Sequence, residues 1–269
     1  MCGCFLSPKF GCFLPPFYGS FIPSSTSLIV GRLGGSSWYD DLAAGKIDFE
    51  DDWFVNSLGV VDELYSTGVL NRNTLNSSYG SGRGSFASDK CAFFIDGDWA
   101  CGAFQTDITT GKALLSPERQ ANDIELIVFP AIDGEVVHET TSGVVGTGFG
   151  MSADLEPGSK EEEAAWRLIK FLQGEYVQTY RLQTGASFPS NLNVDVDKVI
   201  AENNLEPLVG KRAKFYQSYD TTPVIDGVLH SDVYNVINTG LQEIGLGAKS
   251  PRDVAKEVQK AWEAWKASN

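Results

Sequence analysis

The stretch Asp89-Lys-Cys-Ala-Phe-Phe-Ile-Asp-Gly-Asp-Trp-Ala-Cys-Gly-Ala-Phe104 decides how the chain is read. Cys91 to Ile95 is an unbroken apolar run, the pattern of a strand buried on both faces, and Asp96-Gly97 stops it. Asp98 can then cap a helix beginning at Trp99. A strand that breaks at glycine and passes straight into a helix holds a large aromatic at its carboxyl end, where open α/β sheets place their ligands. Trp99 is thus a candidate platform for the apolar face of a sugar ring, with Asp96 and Asp98 as acceptors for its hydroxyls. The competing reading of Trp99 is a buried core tryptophan.

On either side the pattern alternates. Before it, Trp53, Phe54, Leu58, Val61, Leu64 and Tyr65 fall at helical spacing between Glu50 and Thr67, and Gly68 is a suitable residue to end that helix. Asn71 to Ser88 is a polar run dense in glycine, serine and asparagine and reads as a connection. After it, Ile124 to Phe129 is a second apolar strand closed by Pro130. Ser159-Lys-Glu-Glu162 is a capping box ahead of Ala165, Trp166, Ile169 and Leu172, and a further helix runs from Glu175 to Thr184 with Gly185 behind it. Val233, Val236, Ile237, Leu241 and Ile244 form one helical face, and Ser250-Pro251 opens a last helix with Val254, Val258, Trp262 and Trp265. Strands alternating with helices predict an α/β fold.

The 269 residues are 42% hydrophobic, enough to bury a sizeable core. The 21 basic residues against 35 acidic ones leave a formal charge of -14, the wrong sign for a phosphate backbone or an anionic membrane, so nucleic acid is excluded as a partner. A neutral, hydroxyl-rich ligand is compatible with that acidity. No apolar run is long enough to span a membrane. Residues 1–26, rich in proline, glycine, cysteine and phenylalanine and without an apolar period, read as a segment apart that joins no regular element, and no signal peptide is visible in them. Cys2, Cys4 and Cys12 lack a fourth zinc ligand at the usual spacing, and Cys91 and Cys101 read as small buried residues, so no metal and no cofactor is expected.

Other chemistries are weakly represented. Gly80-Ser-Gly-Arg-Gly84 and Gly146-Thr-Gly-Phe-Gly150 lack the Lys-Ser/Thr ending of a phosphate loop and read as flexible connections. His138 and His230 have neither metal-ligand spacing nor a nucleophile nearby. Glu161 to Glu163 suit the start of a helix. Asp96 with Asp98 is a compact acidic pair beside an aromatic, and it keeps a glycoside hydrolase open as the enzymatic alternative. A non-binding interaction fragment is the third reading.

Taken in order, several segments resemble family-1 extracellular solute-binding proteins of sugar-importing ABC transporters, the group of the maltodextrin- and oligosaccharide-binding proteins. They are the Gly34-Gly35 turn, Asp41-Leu-Ala-Ala-Gly-Lys-Ile-Asp-Phe49, Phe86 through Trp99 (the family's F-x-x-G-K-A-A-M-x-I-x-G-x-W stretch), Val128-Phe-Pro130, Gly143 to Ser152, Gly185-Ala-Ser-Phe-Pro189, and the ending from Leu241 to Trp262. The resemblance implies a non-enzymatic, monomeric protein, periplasmic or extracellular at the membrane, that captures a neutral sugar or oligosaccharide and delivers it to permease subunits. It implies a type II periplasmic-binding-protein-like α/β fold, incomplete, with most of one lobe and a remnant of the other. Residues 27–142 and 190–269 would form the second lobe, 143–189 a first-lobe remnant with apolar faces lacking their partner sheet, and 1–26 would lie outside the fold. The amino-terminal portion of the family would be missing. The resemblance also implies that Trp99 stacks on the ligand, and places a second aromatic closest to Tyr234.

Overall fold

In the computed structural model, residues 2–6, 21–70, 72, 79–107, 109–143, 148–185 and 187–268 are described. Strand β1 (Cys2–Leu6) is followed by helices α1 (Phe21–Gly34), α2 (Trp38–Ala43), α3 (Asp52–Ser66) and α4 (Tyr79–Ala87), then strand β2 (Phe93–Gly97) and the short helices α5 (Ala100–Phe104) and α6 (Pro117–Asn122). Strands β3 (Glu125–Ile127) and β4 (Thr141–Gly143) precede helices α7 (Lys160–Leu172), α8 (Glu175–Gln183), α9 (Val196–Asn203) and α10 (Pro207–Ser218). Strand β5 (Thr221–Pro223) leads to α11 (Ile225–Val228), α12 (Ser231–Leu246) and α13 (Pro251–Ser268). The fold is mixed α/β, as the alternation of patterns predicts.

β1 is the middle strand of a three-stranded antiparallel sheet in the order β2-β1-β3, with Cys4 opposite Ile95 on one side and Ile127 on the other. This corrects the expectation that residues 1–26 join no regular element. Both apolar strands β2 and β3 leave an edge of unpaired backbone groups, and Cys2–Leu6 supplies the ladder that satisfies them, which no side-chain period of its own announces. The end of the same segment is the first turns of α1. Cys12 lies outside the described residues, as do Val144 and Val145. β4 and β5 form a separate parallel pair, Ser142 opposite Thr222.

The largest apolar core is built by five helices whose sequence periods mesh. Phe54, Leu58, Val61 and Tyr65 of α3 recur every three or four residues and face Val233, Ile237, Leu241 and Ile244 of α12, with Val254, Val258 and Trp262 of α13, Leu28 to Leu33 of α1 and Trp38 and Leu42 of α2 closing the cluster. α1 crosses β5 so closely that a Cβ at Gly31 would lie 1.8 Å from the Thr222 hydroxyl oxygen, so only glycine fits there. A second core gathers Phe86 of α4, Phe94 of β2, Cys101 and Phe104 of α5, and Leu208 and Phe215 of α10. The glycine-rich stretch expected as a connection is therefore partly helix, because Phe86 stacks on Phe94 at 5.7 Å and that contact outweighs the poor helix propensity of Gly80, Gly82 and Gly84. A third, small cluster joins Leu182, Val194 and Val209.

α7 belongs to none of the three. Ser159 caps it, its hydroxyl accepting from the Glu162 N–H at 3.1 Å, as the capping box predicts, yet none of its residues is buried. Leu168 and Phe171 are 57% and 58% exposed, and on α8 Tyr176 is 76% exposed.

One buried cation ties the first core to the loops around it. The Arg32 guanidinium, 1% exposed, donates to the Phe129 carbonyl at 2.8 Å, to the Thr140 carbonyl at 3.3 Å and to Glu135 Oε2 at 2.8 Å. Burial works against the Glu135 charge, but hydrogen bonds from Arg32, His138 and the Ile132 N–H outweigh it and hold its carboxyl below the ordinary range. Arg32→Ala would leave that carboxylate buried without its cation, and we expect a loss of about 3–5 kcal/mol in urea unfolding at pH 7. A lowered folded pKa means that the stabilisation is present above the ordinary carboxyl pKa and is lost as pH falls through the folded value. The acid limb of the stability–pH curve should therefore flatten in Glu135→Gln, and an unchanged limb would refute the assignment.

Candidate functional site

β2 ends at Gly97 and α5 begins at Ala100, so Asp98 and Trp99 form the link between them. The order strand, glycine, aspartate, tryptophan, helix is as predicted, with the strand two residues later than the apolar run indicates. Trp99 is 42% exposed and folds back over the strand end: a Cβ at Gly97 would lie 2.2 Å from its ring. Glycine two residues before the tryptophan thus lets the indole lie flat on the backbone. The ring is therefore held against the main chain while much of its surface reaches solvent, which is what a stacking platform requires and what a core tryptophan does not show.

The two aspartates point away from that surface. Asp96 has no exposed side-chain surface. Its carboxylate accepts from Arg83 Nε of α4 at 3.0 Å and from the Gly97 N–H at 2.7 Å. The expectation that Asp96 accepts hydroxyls of a ligand is corrected: the residue is interior, and its charge is matched by an arginine 13 positions earlier. The cap position of α5 is taken by Trp99, which makes no side-chain cap bond. The Asp98 carboxylate accepts from Arg212 of α10 and from the Tyr216 hydroxyl at 2.6 Å, and it is 12% exposed.

Arg212 makes this turn a junction of three elements. It is 6% exposed and lies 5.8 Å from the Phe188 ring and 5.9 Å from the Tyr216 ring, which stack on each other at 4.3 Å and 8°. Burial works against the guanidinium charge, but Asp98 outweighs it and raises the pKa further. Burial and the neighbouring Asp98 charge raise the Tyr216 hydroxyl as well, so it stays protonated and donates. Cys101, wholly buried beneath, is pushed up to about 12 by burial and is no nucleophile at neutral pH. Phe188, Arg212 and Tyr216 were not singled out by sequence, and spacing gives no sign of a contact spanning more than a hundred residues.

Tyr234 lies on α12, half-buried and packed against the first core beside Val233 and Ile237. Among the described residues no group of three or more histidine, cysteine, aspartate or glutamate side chains is placed to hold a metal ion. Two open grooves, of about 570 and 630 Å³, lie on α7 and α8 and do not include Trp99.

This fold is shared with solved structures of sugar-binding proteins. A structure titled as a chitin oligosaccharide binding protein superposes with a TM-score of 0.76 at 16% identity, over 98% of this chain and 69% of that one. The maltose/maltodextrin-binding domain MalE from Bdellovibrio bacteriovorus, bound to maltotriose, gives 0.69 at 17% over 99% and 70%. A Streptococcus pneumoniae solute-binding protein in complex with the blood group A-trisaccharide gives 0.68 at 15% over 98% and 69%. At such identities the likeness establishes the fold, and these neighbours are binding proteins. No protein-family model and no curated protein matches the sequence.

Asp98→Ala would leave Arg212 buried beside two rings without its counter-charge, and should cost about 3–5 kcal/mol in unfolding experiments. Tyr216→Phe removes one hydrogen bond to the same carboxylate and should cost about 1.5–3 kcal/mol. If Asp98→Ala proved neutral, the junction would not be held by this ion pair. Site-resolved alkylation at pH 8 should leave Cys101 unmodified in the folded chain.

Proposed function

We propose that the chain captures a neutral sugar or oligosaccharide outside the cytoplasm as the solute-binding component of an ABC importer, with Trp99 as its stacking platform. The observation that carries this reading is the exposed indole fixed over Gly97, on a fold shared along 98% of the chain with a chitin oligosaccharide binding protein. A sugar ring offers an apolar face of C–H groups, and a flat indole held against backbone meets it without losing side-chain freedom on binding. Delivery to permease subunits is part of the same proposal and rests on the likeness to such proteins, one of which is titled as an ABC transporter solute binding protein. No described helix is long and apolar enough to cross a membrane.

The hydrolase alternative is disfavoured by the aspartates. A glycosidase needs two carboxyl groups facing one substrate, and here Asp96 is interior while Asp98 is engaged with Arg212 and Tyr216. Neither can meet a glycosidic oxygen without giving up its arginine. The protein is accordingly proposed to be non-enzymatic.

Affinity should be modest. One ring supplies stacking from one side, and each hydrogen bond that an enclosing wall would add is worth about 0.5–1.5 kcal/mol. Titration with maltotriose, chitotriose and xylotriose, followed by tryptophan fluorescence and calorimetry, should give dissociation constants of about 1 mM for at least one of them. Trp99→Ala should weaken that binding about tenfold or more, corresponding to a loss of about 1.4 kcal/mol. Binding of equal strength in Trp99→Ala would remove the platform, and release of reducing sugar abolished by Asp98→Asn would turn the reading towards catalysis.

A further inference from the structure

We propose that Asp133 is a site of self-modification, isomerising to isoaspartate through its bond to Gly134, and that the product loosens the Arg32–Glu135 ion pair. The proposal is independent of the Trp99 site. The sequence has three Asp-Gly pairs, Asp96-Gly97, Asp133-Gly134 and Asp226-Gly227, and no Asn-Gly pair. Asp-Gly is open to this chemistry because glycine has no side chain to keep its nitrogen from the preceding carboxyl. The Gly134 amide nitrogen attacks the carboxyl carbon of Asp133. A C–N bond forms, the proton of the nitrogen and the hydroxyl of the carboxyl leave together as water, and a five-membered imide results. Water then opens the imide. Opening at the main-chain carbonyl leaves the chain running through the side-chain carbon, which is isoaspartate, and opening at the other carbonyl returns aspartate. Nothing is oxidised or reduced, and water is the only co-reactant.

The structure separates the three pairs. At Asp96 the carboxylate is 2.7 Å from the Gly97 nitrogen, but the side chain has no exposed surface and is held in an ion pair with Arg83, away from the water that opens the ring. At Asp226 burial raises the carboxyl pKa, which favours the reactive acid form, yet the Gly227 N–H donates to the Val224 carbonyl at 3.0 Å and the pair lies within α11. Asp133 and Gly134 are both exposed, the Gly134 N–H has no acceptor among the described residues, and a Cβ at Gly134 would meet nothing within 4 Å. Of the three pairs, this one alone brings a free nitrogen, an accessible carboxyl and water together.

The ends of the same turn are fixed. The Glu135 N–H donates to the Ile132 carbonyl at 3.0 Å, and the Glu135 carboxylate accepts from the Ile132 N–H at 3.2 Å and from Arg32 at 2.8 Å. Ile132 is part of the first core, and the Val136 N–H donates to the Arg32 carbonyl at 2.8 Å. Isoaspartate adds one carbon to the main chain between these anchors, about 1.5 Å of extra length. Hydrogen bonds tolerate only a few tenths of an ångström, so the turn rearranges and Glu135 shifts from Arg32.

The test incubates the full chain at neutral pH and about 37 °C for several weeks, then reads its peptides by electron-transfer fragmentation and by methylation with an isoaspartate methyltransferase and labelled S-adenosylmethionine. Isoaspartate should accumulate at residue 133 and at neither 96 nor 226, whereas in urea all three should form it. Asp133→Glu should abolish the signal, since its imide would be six-membered. Asp133→Asn should give isoaspartate faster through the same imide, with ammonia leaving in place of water. The modified chain should have a folding equilibrium about tenfold less favourable, the worth of one or two hydrogen bonds, and the same modification in Glu135→Gln should cost less. Isoaspartate in the folded chain at 96 or 226 to the extent found at 133, none at 133, or an equal cost with and without the Glu135 carboxylate would each overturn the proposal.

Discussion

Two carboxylates on either side of Gly97 fix the turn on which the candidate site depends. Asp96 reaches Arg83 on one side and Asp98 reaches Arg212 on the other, so the link between β2 and α5 is pinned from opposite directions. Backbone bonds alone would leave it free to rotate, since α5 is a helix of only five residues without a side-chain cap. With both acids drawn inward, the next side chain has nowhere to go but outward, over the one residue that has no Cβ. Exposure of Trp99 is thus the consequence of two interior ion pairs. A buried pair is retained at a desolvation cost that apolar packing would avoid, and what it supplies here is a defined position for the ring.

The same turn joins cores that are otherwise separate. Arg212 belongs to α10, whose Leu208 and Phe215 enter the second core, while Val209 on another face enters the third. Phe188, packed against that third cluster, stacks on Tyr216 one turn beyond Arg212. Gly102 of α5 leaves room for the Gly185 carbonyl, to which a Cβ would approach within 3.0 Å. The turn after α8 therefore rests on the helix behind Trp99. Arg212 Nε finds no hydrogen-bond partner among the described residues, so the junction has one donor to spare for a water or a small rearrangement.

Elements whose signal is local were legible in the sequence. α3, α7, α12 and α13 follow from apolar residues at three- and four-residue spacing bounded by caps, with Gly68 and Gly247 in the left-handed region where glycine belongs. Trp99 beyond a strand and a glycine was legible for the same reason. What spacing could not give is pairing at a distance. Asp96 and Asp98 read as ligand acceptors because arginines 13 and 114 residues away are invisible to a local pattern. α4 was hidden by its glycines, because the contact that forms it, Phe86 on Phe94, is tertiary. β1 was hidden because its worth lies in backbone ladders to two strands far along the chain, and such ladders leave no side-chain period.

The geometry also bears on what kind of selectivity the Trp99 site can have. Discrimination among sugars that differ in one hydroxyl comes from buried polar groups that are left unpaired by the wrong ligand. Here the two aspartates of the turn are already engaged: Asp98 with Arg212 and Tyr216, Asp96 with Arg83 and the Gly97 N–H. The indole presents a π-face, which accepts any pyranose that offers a patch of C–H groups. Stacking favours rings whose hydroxyls are equatorial, because these leave the faces apolar, and it favours chains over single rings to the extent that neighbouring units also touch the surface. On the proposed reading the turn would recognise a class of sugar, and recognition of one sugar within the class would come from groups on another surface facing the ring.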